Sequence, residues 1–198
     1  EARWNKAQLL LLRGDYERGW PLYDSRRRKP EFPSVGDPAV PLWRLGMPLA
    51  GKSILVHWEQ GLGDTIQFCR YLPLLRAQAA RVLFAPQRLL IGLMRSLGSD
   101  IDIVDPDDPP RPYDLRLPLL SLPLALETTA IPADVPYLRA EPERIDRWRQ
   151  RLAGDGLRVG VCWQGNRSAI DRGRSFPAAA LEGLSQVPGV RLISLQKG

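Results

Sequence analysis

The sequence predicts an α/β protein, a parallel sheet covered by helices and entered through a short helical hairpin. Three observations carry that expectation. Ile54-Leu55-Val56-His57-Trp58 and similar runs are apolar on consecutive positions, as in strands buried on both faces. These runs alternate with helix-like segments along most of the chain, the pattern of βαβ units. The first strand also turns through Glu59-Gln60-Gly61-Leu62-Gly63-Asp64 directly into a helix start, which brings backbone amides and a carboxylate to the carboxyl edge of the sheet. Ligands of open α/β sheets bind at that edge.

Taken in order, residues 3–28 read as two short helices around Arg13-Gly14-Asp15. Trp4, Ala7, Leu10 and Leu11 fall at helical spacing in the first, as do Tyr16, Trp20 and Tyr23 in the second. A hairpin of this size cannot bury both faces, so it either docks on the next domain or stacks on further repeats. Residues 29–50 carry Pro30, Pro33, Pro38, Pro41 and Pro48, which forbid continuous helix and mark a linker, with Leu42 and Trp43 expected to pin it to a surface. A first α/β domain is expected over 51–140. It comprises strand Ile54–Trp58, helix Asp64–Ala79, strand Val82–Phe84, helix Gln87–Leu97, strand Ile101–Val104 and a further strand at Leu115–Leu117. From 141 a second α/β domain begins, with a helix near Pro142–Leu152, strand Val159–Trp163, a helix near Pro177–Ser185 and strand Val190–Leu195. Two strands and one helix make a thin layer, so Gly198 is expected to cut this domain in its interior.

With 198 residues and 44% hydrophobic content the chain can bury a real core. No apolar run approaches the roughly 20 residues of a membrane span, because Pro118 and Pro123 break the stretch Leu115–Leu126, and Glu1 opens no signal peptide. The expectation is a cytoplasmic protein. Cys69 and Cys162 lack the Cys-x-x-Cys spacing and are read as small buried hydrophobes in a reduced compartment. The net charge of +6 comes almost wholly from arginines scattered over most segments, without a basic run interleaved with aromatics. Nucleic acid is therefore not an expected partner, although some arginines suit an anionic ligand.

At the glycine turn, a dinucleotide fingerprint would need a third glycine where Ile66 stands and an acid after the second strand where Ala85-Pro86 stands. A phosphate-binding P-loop would need Gly-Lys-Ser/Thr, which does not follow. His57 is the only histidine and lies inside a strand, so neither a Ser-His-Asp relay nor a His/Cys metal set can be assembled. No metal and no cofactor is expected. Glu59 and Asp64 remain as acid–base groups at the sheet edge. The plainer reading of Asp64 is a helix N-cap, with both glycines only turning the chain.

Several ordered pieces resemble bacterial tetratricopeptide-repeat proteins that carry a glycosyltransferase domain similar to the heptosyltransferases of lipopolysaccharide synthesis (glycosyltransferase family 9-like). They are Trp43, Leu49-x-Gly51-Lys52, Glu59 through Phe68, Arg70-Tyr71-Leu72-Pro73, Leu120-Ser121-Leu122-Pro123, Ile131-Pro132-x-x-x-Pro136-Tyr137-Leu138, Val159-Gly160-x-x-Trp163-x-Gly165-Asn166, Arg174-Ser175-x-Pro177 and Ser194 through Gly198. The resemblance implies a GT-B architecture of two Rossmann-like domains facing a cleft, with an acceptor on the first and a nucleotide-sugar donor on the second. It implies metal-independent transfer with Asp64 as the base, since Gly63-Asp64 matches the family's Gly-Asp pair. Glu59 and Gln60 would orient acceptor hydroxyls, the Gly61 and Gly63 amides would shape the acceptor pocket, and Asn166, Arg174 and Ser175 would meet donor phosphate. The two roles of Asp64 compete, since a carboxylate firmly capping its own helix makes a poorer base, and cap and base alternate only if an acceptor displaces the cap. The acceptor would be a glycan or a protein. The rival from another class is a tetratricopeptide-type adaptor whose hairpin recruits a protein partner beside a silent α/β domain; a third reading is nucleotide binding without transfer.

Overall fold

The computed structural model describes residues 2–28, 37–105, 108–109, 111–132, 134–165 and 175–196. The chain is α/β and divides into two compact units, Glu1–Pro142 and Glu143–Gly198.

The first unit opens with α1 (Ala2–Leu12) and α2 (Tyr16–Tyr23), joined by a turn at Gly14, followed by a 3-10 turn at Asp24–Arg28. Asp15 caps α2 by accepting from the Arg18 backbone N–H at 3.3 Å. The sheet then follows: β1 (Ser53–His57), β2 (Arg81–Ala85), β3 (Ile101–Ile103) and β4 (Leu115–Pro118), all parallel, in the order β3-β2-β1-β4. Ile54, Leu55, Val56 and His57 are all buried on successive positions, so both faces of β1 are covered. Asp114 fixes the register of β1 and β4 by accepting from the Ser53 N–H at 2.8 Å and its hydroxyl at 2.7 Å.

The helix expected over Asp64–Ala79 is instead two helices, α3 (Leu62–Phe68) and α4 (Leu72–Arg76), separated by a 3-10 turn at Cys69–Tyr71. Pro73 explains the break: it has no N–H to donate back along a continuous helix, and it sits comfortably in the first turn of a new one. The segment 88–97 likewise holds only one α-helical turn, α5 (Ile91–Met94), between two 3-10 turns. The corner after β4 leads into α6 (Leu122–Ala125).

Two elements are bound to this sheet more tightly than expected. Trp43 is 3% exposed and part of the main core, and the Pro41–Trp43 backbone pairs with Arg116 of β4 at 2.9 and 3.1 Å. Trp20 of α2 belongs to the same core and meets Phe68 of α3 edge-on, with ring centroids 5.9 Å apart.

The second unit carries α7 (Pro142–Arg151), β5 (Leu157–Val161), α8 (Glu182–Ser185) and β6 (Val190–Ser194), with β5 and β6 parallel. A Cβ on Gly156 would meet the Gly189 carbonyl at 2.5 Å, so the entry to β5 requires glycine. Cys162, expected to be buried, is exposed just beyond β5, because a two-stranded sheet has no neighbouring strand to cover it. Cys69 is buried, and burial pushes its thiol up to about 12. Among the described residues, no helix is long and apolar enough to cross a membrane.

Candidate functional site

Strand order locates the site. After β1 the chain runs to β2 and β3 on one side of the sheet and then returns to place β4 on the other, so the strand order reverses between β1 and β4. A crevice forms outside the carboxyl ends of two strands at such a point, and it is the usual ligand position of open α/β sheets. The loop after β1 and the corner after β4 line it.

An arginine from the N-terminal segment enters this crevice. Arg26 has 0% exposure, and its guanidinium donates to both oxygens of Glu59, from Nε at 3.0 Å and from Nη2 at 2.5 Å. Nη2 also donates to Ser121 Oγ at 2.9 Å, and Glu59 Oε1 accepts from the Leu120 N–H at 3.1 Å. The Ser121 hydroxyl in turn donates a hydrogen bond to Asp24 at 2.6 Å. The Tyr23 ring lies under the guanidinium at 4.7 Å. Glu59, expected to orient acceptor hydroxyls, is therefore corrected to an internal anchor: it is 2% exposed, with both oxygens engaged. Sequence could not show this, because Arg26 lies 33 residues upstream in what reads as a generic basic cluster.

Asp64 lies in the first turn of α3. The N-cap is Gly61 and Asp64 is the third helical residue, so α3 begins two positions earlier than expected. Asp64 Oδ2 accepts from the Gly61 N–H at 2.8 Å, which caps the helix from inside its first turn. Oδ1 makes no such bond among the described residues. The tight backbone turn also falls elsewhere than on the glycines, since Gln60 takes the positive φ of 62°. Its side chain donates to the Tyr23 hydroxyl at 3.1 Å, and Gln87 donates to the Gln60 and Gly61 carbonyls at 3.4 and 3.3 Å while accepting from Thr65. A Cβ on Gly63 would meet nothing within 4 Å.

A cavity of about 270 Å³ opens next to Asp64, walled by Tyr16, Trp20 and Tyr23 of α2 and by Phe68, Arg70 and Tyr71 of the α3 segment. Trp20 Nε1 and Arg70 Nε are buried and have no hydrogen-bond partner among the described residues. Both nitrogens are shielded from solvent, and buried donors without a partner are rare. Burial raises the Tyr23 hydroxyl above its ordinary value, which keeps it protonated. These aromatic residues were read from the sequence only as helical spacing; no local signal ties them to Asp64.

His57, the last residue of β1, is 1% exposed. Its Nδ1–H donates to the Trp58 carbonyl at 3.1 Å, and Nε2 has no partner among the described residues. Burial pushes its pKa below the usual histidine value.

No family model and no solved structure matches the chain. It is similar to Protein FlbA of Caulobacter vibrioides (strain ATCC 19089 / CIP 103742 / CB 15), with 27% identity over 220 residues that cover 98% of this chain and 36% of that protein. The chain thus spans about a third of that relative's length.

In the second unit, Asn166 and Arg174 lie outside the described residues. Ser175 accepts from the Gly165 N–H at 3.0 Å and Phe176 donates to the Trp163 carbonyl at 3.0 Å, so the two flanks of that segment meet at the carboxyl end of β5. Gln196, just past β6, accepts from the Trp163 and Gln164 N–H groups at 3.3 and 3.0 Å and returns a bond to the Gln164 carbonyl at 3.2 Å. Among the described residues no cluster of His, Cys, Asp or Glu is arranged to hold a metal ion.

Proposed function

We propose that the protein is a nucleotide-sugar-dependent glycosyltransferase of GT-B architecture, with the first, Rossmann-like unit receiving the acceptor and the second beginning the donor half. The observation that carries this reading is the pairing of Asp64 with the aromatic cavity. Asp64, with one oxygen uncapped among the described residues, lines a hollow of monosaccharide scale whose Trp and Tyr rings suit the faces of a sugar.

In this mechanism Oδ2 of Asp64 holds the start of α3 while Oδ1 takes the acceptor hydroxyl's proton. The hydroxyl oxygen forms a bond to the anomeric carbon from the face opposite the leaving group. The bond from that carbon to the donor's phosphate oxygen breaks, and the nucleoside diphosphate leaves with the electron pair. The configuration inverts, and the proton ends on Asp64. Arg174, with Asn166 and Ser175, is proposed to meet the departing phosphates through the guanidinium fork.

The adaptor reading keeps one observation of its own: Leu9 and Leu12 of α1 are 62% and 84% exposed, an apolar edge suited to a protein partner. Against a mere tether stands Arg26, which builds the N-terminal helices into the sheet's crevice.

The test uses full-length protein with a panel of nucleotide sugars and candidate acceptors. Asp64→Asn is expected to lower transfer by about 10²–10⁴-fold, the usual contribution of a general base, while donor-dependent thermal stabilisation persists. Undiminished transfer by Asp64→Asn removes Asp64 from the mechanism. Stabilisation by nucleotide with no transfer to any acceptor favours nucleotide binding alone.

A further inference from the structure

The first unit holds another, larger cavity of about 590 Å³, which shares no lining residue with the one beside Asp64. Its size falls within the range of small-molecule pockets. Four arginines line it: Arg3 from α1, Arg27 and Arg28 from the turn after α2, and Arg44 from the segment preceding β1. Three separate stretches of chain thus bring like charges to one hollow.

A single acidic residue, Asp24, lines the same cavity, and its carboxylate is already engaged. Oδ2 accepts from Arg27 at 3.1 Å, while Oδ1 accepts from Ser121 at 2.6 Å and lies 3.6 Å from the buried Arg26. Among the described residues Arg3, Arg28 and Arg44 have no carboxylate within ion-pair distance. Like charges gathered on a concave wall repel one another and focus a positive potential into the hollow. A ligand carrying two or more negative charges relieves that repulsion.

Guanidinium forks match the oxygens of a phosphate group in paired hydrogen bonds. Apart from Ser25 and Ser121 the remaining lining is apolar, with Leu45, Leu117 and Leu124 among it, which favours a ligand with a nonionic body over a bare ion. A nucleic-acid strand would need a groove with exposed aromatic platforms, whereas Trp43 here is packed into the core.

We infer that this cavity binds a phosphate-bearing small molecule. The site is independent of the transfer chemistry proposed above. Arg3, Arg28 and Arg44 are exposed, so their charge can be altered without unfolding the protein.

Calorimetric titration of the full-length protein with glucose 1-phosphate, and separately with inorganic pyrophosphate, tests it at constant ionic strength set with potassium chloride. Arg28→Gln and Arg44→Gln are each expected to weaken binding about tenfold or more, the scale of a lost charge-assisted hydrogen bond. Arg95→Gln, which removes the same charge outside the cavity, is expected to leave affinity within about twofold, and all three variants to melt as the parent does. Tighter binding of glucose 1-phosphate assigns the site to a phosphate ester, and tighter binding of pyrophosphate to inorganic polyphosphate. Absence of binding by both probes, or equal weakening by Arg95→Gln and Arg28→Gln, overturns the proposal.

Discussion

Two residues flanking the turn after β1, Gly63 in α3 and His57 at the end of β1, separate what the fold requires from what a ligand requires. Gly63 sits inside α3, has no positive φ, and leaves empty space where a Cβ would stand. Gly63→Ala is therefore expected to raise stability by up to about 1 kcal/mol, measured by urea denaturation, because alanine loses less backbone entropy in a helix. If transfer falls while stability rises, the bare backbone at Gly63 serves an acceptor; if neither changes, Gly63 has no part in the pocket. His57 makes the adjoining strand end sensitive to acid. Its folded-state pKa is depressed by burial, so below about pH 6.5 the unfolded chain binds a proton that the folded protein excludes. Its stability contribution is intact above that pH and is lost as pH falls toward the folded-state value, with a slope of at most about 1.4 kcal/mol per pH unit. Urea midpoints at pH 7.5 and 5.5 should differ less for His57→Gln than for the parent chain; equal differences exclude His57 as the titrating group.

At the scale of elements, the Arg26–Glu59 pair joins the N-terminal helices to the sheet. Both side chains are buried and multiply hydrogen-bonded, so removing one partner leaves the other charged in a poorly solvated place. Glu59→Ala is expected to cost about 3–5 kcal/mol by chemical denaturation, whereas the double replacement Arg26→Met with Glu59→Leu should recover much of that loss. A single-variant cost below about 1 kcal/mol would mean that the crevice admits water around Arg26. The breaks in the helical layer have simpler causes. Pro73 was visible in the sequence beside the expected helix, but the apolar periodicity on either side of it concealed that it starts a new helix. Periodicity records which face is buried and is insensitive to a local switch from α to 3-10 geometry.

Across the whole first unit, residues 2–28 act as structure rather than as an appendage. Trp20 enters the sheet's core, Arg26 fills the crevice at the point where strand order reverses, and α2 supplies one wall of the cavity beside Asp64. Deleting residues 1–28 is expected to lower the melting temperature sharply and expose Phe68 and the Glu59 carboxylate; a deletion that melts as the parent does would show the helices to be dispensable. Much of this unit was legible in the sequence, for reasons that are local. Consecutive apolar positions identified β1, β2 and β4, the proline-rich stretch identified a non-helical connection, and Gly61 through Asp64 marked the turn at the sheet edge. The sequence by itself determined the α/β class, the strands and the position of Asp64, because periodicity and turn chemistry depend on neighbours a few residues apart. Only the tertiary structure decided that β4 lies beside β1, that Glu59 serves Arg26 instead of a ligand, and that aromatic rings from α2 surround the cavity at Asp64. Each of those depends on groups tens of residues apart, and local pattern contains no term for the packing that brings them together.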